Sequence, residues 1–457
     1  MSLQMLASGS RLPELAVAGD AAQMLEIFRR RLRPIRNVHY DIRACRLSRL
    51  RYHESDRCLL RYTLDLVDCK TGSQQTLWVT GLLRADDRAQ QIWRKLRVVD
   101  ARTEFLEAFA AFRPIEFIPE LRMLVQVFPY DRRLPVSHLI AHGRASLEAI
   151  AVATLGPGDW RVERADIEPV RYRPERVAVL RCMIQASDAG TGRTERMALY
   201  AKVYRDEEGE RAFEALRLLH DRAEDSGNGW TVGKPLVYLS QFNALLMEQA
   251  PGTSLQHLLL HGCDPIAAVR KAATALAAFH LERIAAPRRH PLREEMRTVV
   301  GAGKLIQHVC PQSSAEVDSI LGSIATLVVD APPRPTHREL KADHMFLDRH
   351  RLVLIDLDSF AGADPIVDPA RLLAHLAGLR LRFDLPDDGG LRTAAQAFAD
   401  EYFVHVPPAW RDRLAVHYAG AALKEATGFF RRQEGAWPEK VAALVGEASD
   451  SLAGRLW

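Results

Sequence analysis

The chain has 457 residues, 47% hydrophobic and 26% charged, with a net charge of +4 at pH 7. That length allows two or three domains, and that balance is an ordinary globular one, which excludes a disordered or fibrous chain. So small and dispersed a charge implies no nucleic-acid or membrane surface, and no run of about 18 apolar residues offers a transmembrane helix.

Six cysteines (Cys45, Cys58, Cys69, Cys182, Cys263, Cys310) follow neither CxxC nor metal-ligand spacing. They read as reduced thiols, and a cytoplasmic location is expected. The opening MSLQMLASGSRLPEL has no basic stretch leading into an apolar core, so no signal peptide is expected. Residues 20–33 predict a short amphipathic helix with Ala21, Met24, Leu25, Ile27 and Phe28 on one side. Arg29-Arg30-Arg31 and Arg288-Arg289 read as solvated helix ends or linkers. From about residue 40 the pattern turns to β. Residues 47–68 predict two strands around the turn His53–Arg57, residues 76–84 a third strand, and residues 85–99 a helix.

The same organisation recurs. LRYHESDRCLLRY at 50–62 aligns with VRYRPERVAVLRC at 170–182, an offset of 120. Position 78 falls against 199, which implies one inserted residue and sets Gly81 opposite Lys202. Residues 124–140 resemble residues 245–260. An internal repeat of a small β-rich lobe follows, from ancestral duplication or from simple strand resemblance.

Only the second copy carries site chemistry. Lys202 lies in the strand-like ALYAKVYR, and Glu214 follows in a helical segment with Phe213, Leu216 and Leu219 on one face. A strand lysine and a helix glutamate are how kinases hold the α- and β-phosphates, although a surface pair would look the same. The turn Arg173-Pro174-Glu175-Arg176 has no phosphate-cradling glycine. Arg173 and Arg176 are either side-chain phosphate contacts or solvated turn residues. Met247, Glu248 and Ala250 lie in an extended segment, and Pro251-Gly252 turns it into a helix capped by Thr253 or Ser254. This is either a connector or a hinge whose backbone meets adenine.

Residues 336–376 hold the densest chemistry: His337-Arg338-Glu339-Leu340-Lys341, His344, a β run Leu352–Ile355, then Asp356 and Asp358. The kinase pattern of a catalytic-loop acid, a metal-reaching loop residue and an acid after a strand is present in order. This stretch resembles the aminoglycoside phosphotransferase-like kinases, a branch of the protein-kinase-like fold, over about residues 160–430. Glu339 stands where that family has Asp, and His344 where it has Asn. Imidazole suits softer ions better than magnesium, which prefers oxygen. Asp364 and Asp368 read as turn and N-cap residues, and His280 as a core histidine. GAGKL at 301–305 is no Walker loop, because Thr298 occupies its first glycine position. Helices are expected at Pro265–Leu281, Ala315–Val328, Pro369–Leu381, Leu391–Phe403, Pro408–Arg431 and Pro438–Leu456.

The resemblance implies an α+β, bilobal kinase-like fold: a β-rich N-terminal module (1–155) like a degenerate second nucleotide lobe, a nucleotide-binding lobe (156–250) and a helical lobe (251–457). It implies transfer of the ATP γ-phosphate, with Mg2+, to a hydroxyl of a small molecule such as an amino sugar or sugar. Glu339 and Lys341 would be catalytic. Lys202, Glu214, Met247, Glu248 and Ala250 would bind nucleotide. His344, Asp356 and Asp358 would bind metal. The alternative is an impaired pseudokinase that binds nucleotide or a protein partner. The only partner expected is the acceptor, with oligomeric state left open.

Overall fold

The computed structural model describes residue 7 and residues 11–35, 39–53, 56–99, 111–349, 351–386 and 389–455. Part of the expected turn at His53–Arg57 and the end of the last expected helix lie outside the described residues. Two compact units divide the chain. One is Met1–Glu210, Leu236–Leu246 and Arg431–Gln433; the other is Arg211–Pro235, Met247–Phe430 and Glu434–Trp457. The α+β class expected from the sequence holds.

In the first unit a single helical turn at Leu15–Ala18 leads into helix α1 (Ala21–Arg31), capped by Asp20, whose carboxylate accepts from Ala22 N and Gln23 N. Then come β1 (Tyr40–His53), β2 (Arg57–Asp68), β3 (Gln74–Arg84), α2 (Arg88–Val99), β4 (Ile115–Ile118) and β5 (Met123–Val127). After α3 (Val136–His142) and α4 (Arg144–Leu155) the set returns as β6 (Trp160–Arg173), β7 (Val177–Asp188), β8 (Thr194–Tyr204), α5 (Glu208–Ser226), β9 (Trp230–Val232), β10 (Pro235–Leu239) and β11 (Ala244–Glu248), although β9 and α5 beyond Glu210 fall in the second unit. The sheet orders are β1-β2-β3-β5-β4 and β6-β7-β8-β11-β10. They are the same topology, so the repeat is a structural fact.

Register corrects the sequence alignment. Leu82 pairs with Leu59, and Lys202 pairs with Val179. Each residue of the second pair lies 120 positions beyond its counterpart, so the residue equivalent to Lys202 is Leu82 and not Gly81. The extra residue enters later, since β5 begins at Met123 and β11 at Ala244, an offset of 121. Gly81 has its own reason: a Cβ there would lie 2.5 Å from Met123 Sδ. Leu82 is fully buried with Leu59, Ala89, Ile115 and Leu124, so the first copy fills its lysine position with core.

The two copies share a second core. Tyr172 of β6 stacks on Trp78 of β3 at 5.9 Å and meets Phe128 at 4.9 Å, among Leu139, Leu180, Leu199 and Phe242. The Tyr172 hydroxyl donates to Asp131 Oδ2 at 2.8 Å. A buried phenol needs such a partner.

The second unit carries one four-stranded sheet, order β12-β14-β15-β9, with β12 (Thr253–Ser254), β14 (Met345–Asp348) and β15 (Arg351–Leu354). A two-stranded ribbon joins β13 (Arg334–Thr336) to β16 (Ala361–Ala363). Its helices are α6 (Leu255–His261), α7 (Pro265–Leu281), α8 (Leu292–Val309), α9 (Ser314–Leu327), α10 (Val367–Arg382), α11 (Gly390–Val404), α12 (Leu414–Arg432) and α13 (Trp437–Leu452). Helix α7 begins where expected, with Pro265 at its first turn and Asp264 accepting from Ala267 N. Helix α8, which the sequence reading left unassigned, contains GAGKL and buries Val299, Ala302, Ile306 and Val309 at helical spacing. Helix α12 is preceded by a 3₁₀ turn at Pro408–Arg413.

Candidate active site

The loop from His337 to His344 leaves β13, is pinned by buried Leu340 and Ala342, and enters β14. Its anchor is Asp368 at the start of α10. This fully buried carboxylate accepts from His337 N at 2.7 Å, from Arg338 N at 2.6 Å and bonds His280 Nε2 at 3.0 Å. His280 also bonds the Tyr402 hydroxyl at 2.7 Å. Arg338 has a φ of +71°, which a non-glycine residue adopts only when its surroundings impose it. Asp368 is therefore not an ordinary N-cap, as the sequence suggested, but the holder of the loop backbone. Asp364 is not a simple turn residue either. It pairs with Arg413 (2.8 and 3.0 Å) and His417 (3.0 Å). Burial opposes its charge, but His417 and Arg413 hold its carboxyl far below the usual range.

Glu339 Oε2 takes a 2.9 Å hydrogen bond from Arg371 Nη2 of α10. Its side chain keeps 46% of its surface exposed, so another molecule can reach it. Burial of its surroundings works against the charge, but Arg371, Lys424 and Lys341 outweigh it and hold the carboxyl down at about 2. Burial lowers the Lys341 ammonium, against the attraction of Glu425. Lys424 is itself paired with Glu295 at 2.6 Å. Glu295, with His290, Leu292, Val329 and His417, lines a cavity of about 140 Å³.

His344 is buried, with its ring stacked on His337 at 5.7 Å. His337 Nε2 donates to Ile355 O at 2.9 Å. His344 Nδ1 lies 3.0 Å from Glu339 O. A carbonyl only accepts, so Nδ1 carries the proton. Burial pushes the imidazole down to about 3, so it is neutral and Nε2 presents a lone pair. That nitrogen is buried without a hydrogen bond, 3.4 Å from Asp356 Oδ2 and 3.7 Å from Asp343 Oδ1. A lone pair facing carboxylates fits a cation. Asp356 follows β15 in the left-handed region, φ +62°. Asp358 is exposed in the 3₁₀ turn Leu357–Ser359 that follows. Among the described residues no three His, Cys, Asp or Glu side chains are arranged to hold a metal by themselves.

Lys202 is buried on β8, its ammonium 5.6 Å from the Tyr204 ring centre. Glu214 is exposed on α5, and each belongs to its own unit. Met247, Glu248 and Ala250 are half-buried where β11 ends. Glu248 N donates to Lys234 O at 3.0 Å, and its carboxylate takes Lys234 Nζ at 2.8 Å. Ser254, rather than Thr253, caps α6 by accepting from His257 N. Gly252, at φ +86°, lies so near Leu347 that a Cβ would come within 2.3 Å of its carbonyl oxygen. Sequence reasoning missed Arg371, Asp343 and the roles of Asp364 and Asp368. For Asp364, Asp368 and Arg371 the signal available was their place soon after the Asp356 strand end, leading into the first turns of α10, and for Asp343 its place beside His344 in the loop.

A family model for a phosphotransferase enzyme family matches residues 188–419. No curated protein matches. Among solved structures, the choline kinase LicA of Streptococcus pneumoniae is similar at 15% identity, over 68% of this chain and 99% of that one, with a TM-score of 0.42. A Cryptosporidium parvum choline kinase gives 11%, 68%, 96% and 0.43. The aminoglycoside phosphotransferase APH(3'')-Id of Streptomyces rimosus gives 18%, 61%, 98% and 0.36. No helix of the described residues is long and apolar enough to cross a membrane.

Proposed function

The chain belongs to the phosphotransferase enzyme family, and from that premise we propose that it transfers the γ-phosphoryl group of ATP to a hydroxyl of a small molecule, with a divalent cation. The observation that carries this reading is the loop pinned by Asp368, which presents an ionised, reachable Glu339. Phosphoryl transfer is mostly positioning and charge stabilisation. A carboxylate held at about 2 is a weak base. Glu339 therefore accepts a hydrogen bond from the acceptor hydroxyl and aims it, and Arg371 fixes the carboxylate. Lys341 offers its ammonium to the transferred phosphoryl group, and Lys202 holds the α- and β-phosphates. Met247, Glu248 and Ala250 offer backbone to adenine. His344 Nε2 and Asp356 would hold the cation, with Asp358 nearby, and phosphate oxygens and water would complete its shell. When bound, the cation neutralises phosphate charge.

The Glu339–Arg371 pair also favours a second reading. A carboxylate already satisfied by a guanidinium describes a protein that binds nucleotide or a partner without turnover. ADP release against a panel of sugars and amino sugars, with ATP affinity measured in parallel, tests both. Turnover that Glu339→Ala abolishes while ATP affinity survives supports transfer. ATP binding without turnover on any acceptor supports the second reading. In either case Lys202→Ala is expected to weaken ATP binding by about 1–2 kcal/mol.

A further inference from the structure

The β6–β7 turn occupies the place where a kinase lobe carries its phosphate-covering glycines. Here that turn is fastened to the first copy. Glu175 takes a φ of +59°, the conformation a glycine adopts freely, and its N–H donates to Asp131 Oδ2 at 2.8 Å. Its carboxylate is 2% exposed and collects four guanidinium groups, all from the first copy or the segment that follows it. Arg132 lies 2.5 Å away and Arg57 is in direct contact, with Arg51 at 3.7 Å and Arg133 at 3.9 Å. Among the described residues Glu175 is the only carboxylate within ion-pair distance of any of the four.

Glu175 and the adjacent Asp131, whose carboxylate accepts from Glu175 N and Arg133 N, carry at most two negative charges against four positive ones. The surplus is also confined, because the side chains of Arg57 and Arg132 are largely buried while those of Arg51 and Arg133 keep 29% and 39% of their surface. Close guanidinium groups repel one another, and burial weakens the solvation that would relieve them. Both effects lower the proton affinity of Arg51 and Arg133, burial first and the neighbouring arginines with it. Guanidinium groups with open donors on their outer side match phosphate oxygens in geometry as well as charge.

We propose that the N-terminal module completes the phosphate grip of the second copy: Arg51 and Arg133, braced by Arg57 and Arg132 around Glu175, form a site for a polyphosphate anion at the β6–β7 turn. The site replaces backbone amides with side chains. It gives the degenerate copy a task that needs no lysine of its own. The assignment rests on the phosphotransferase reading for the identity of the anion as the nucleotide's phosphate chain.

The test is isothermal calorimetry of the full chain with inorganic tripolyphosphate and, separately, with ATP. Arg133→Ala, at the most exposed of the four side chains, is expected to weaken tripolyphosphate and ATP each by roughly tenfold or more. Arg51→Ala acts in the same direction. Glu175→Gln removes the competing charge and is expected to tighten tripolyphosphate. Tripolyphosphate binding that is absent, or equal in wild type, Arg51→Ala and Arg133→Ala, overturns the inference. If ATP still binds that protein through Lys202, the phosphotransferase reading survives. Arginine-dependent tripolyphosphate binding by a protein with no ATP affinity leaves an anion site but removes the nucleotide as its ligand.

Discussion

Replacing Asp368 by asparagine changes one atom type at the point that holds the whole active loop. The carboxylate serves His337 N and His280 Nε2 on one oxygen and Arg338 N on the other. An amide keeps one oxygen. It can best preserve two bonds by turning its NH2 toward Arg338 N, where two donors then meet. A hydrogen bond to a charged group contributes about 1.5–3 kcal/mol, and a buried donor left unmade costs about 1–3. Part of the second cost is escaped if the loop relaxes, because Arg338 can then leave its left-handed conformation. Asp368→Asn should therefore lose about 2–4 kcal/mol in urea unfolding followed by far-UV circular dichroism. If relaxation is local, the global loss is smaller and appears instead as loss of amide-exchange protection from His337 to His344. A variant with less than about 0.5 kcal/mol of global loss and unchanged exchange in the loop would refute the anchor.

Further outcomes follow from the same geometry. Leu82→Lys places an ammonium at the true counterpart of Lys202, inside an apolar core, and should destabilise by about 3 kcal/mol or more without adding a second ATP equivalent in calorimetry. Two equivalents bound would contradict the reading of the first copy. Glu339 has a depressed carboxyl, so its ionised form favours the fold fully above the ordinary value near 4.5, and this contribution is lost as pH falls from there toward about 2. Arg371→Met should raise that carboxyl and move the acid limb of the kcat/KM profile toward neutral pH; an unmoved limb counts against Arg371 as its main partner. His344→Asn should shift divalent preference from Mn2+ toward Mg2+ and erase nitrogen coupling from bound Mn2+ in pulsed EPR. Wild-type protein with no such coupling removes His344 as a ligand. If the site has adapted to a longer acid, Glu339→Asp lowers ADP release. If the loop has decayed, Glu339→Asp with His344→Asn raises it.

The sequence disclosed what local chemistry dictates. Helix α7 announced itself by Asp264, Pro265 and a regular apolar face, and the Glu339-to-Asp356 order was visible because that loop is continuous in sequence. The repeat was visible too, but its register was not. Strand residues of similar character tolerate a one-residue slip on paper, and only the pairing of Lys202 with Val179 and of Leu82 with Leu59 fixes it. Asp368 was hidden for another reason. An aspartate at a helix start looks like a cap, and nothing local tells that its oxygens turn back to residues some 30 positions earlier. Arg371 was equally silent, since its partner Glu339 is 32 positions away.

The common core around Trp78, Phe128 and Tyr172 has a consequence for inheritance. A gene that doubled its nucleotide lobe would ordinarily be free to shed the idle half. Here the aromatic side chains of one half are the interior of the other, so shedding either leaves an oily face that invites aggregation. Deletion of residues 1–155 should accordingly yield insoluble protein rather than a smaller kinase. The N-terminal half is then held in place by packing as well as by the part its arginines take at the β6–β7 turn, which leaves its outer surface open to take on new work.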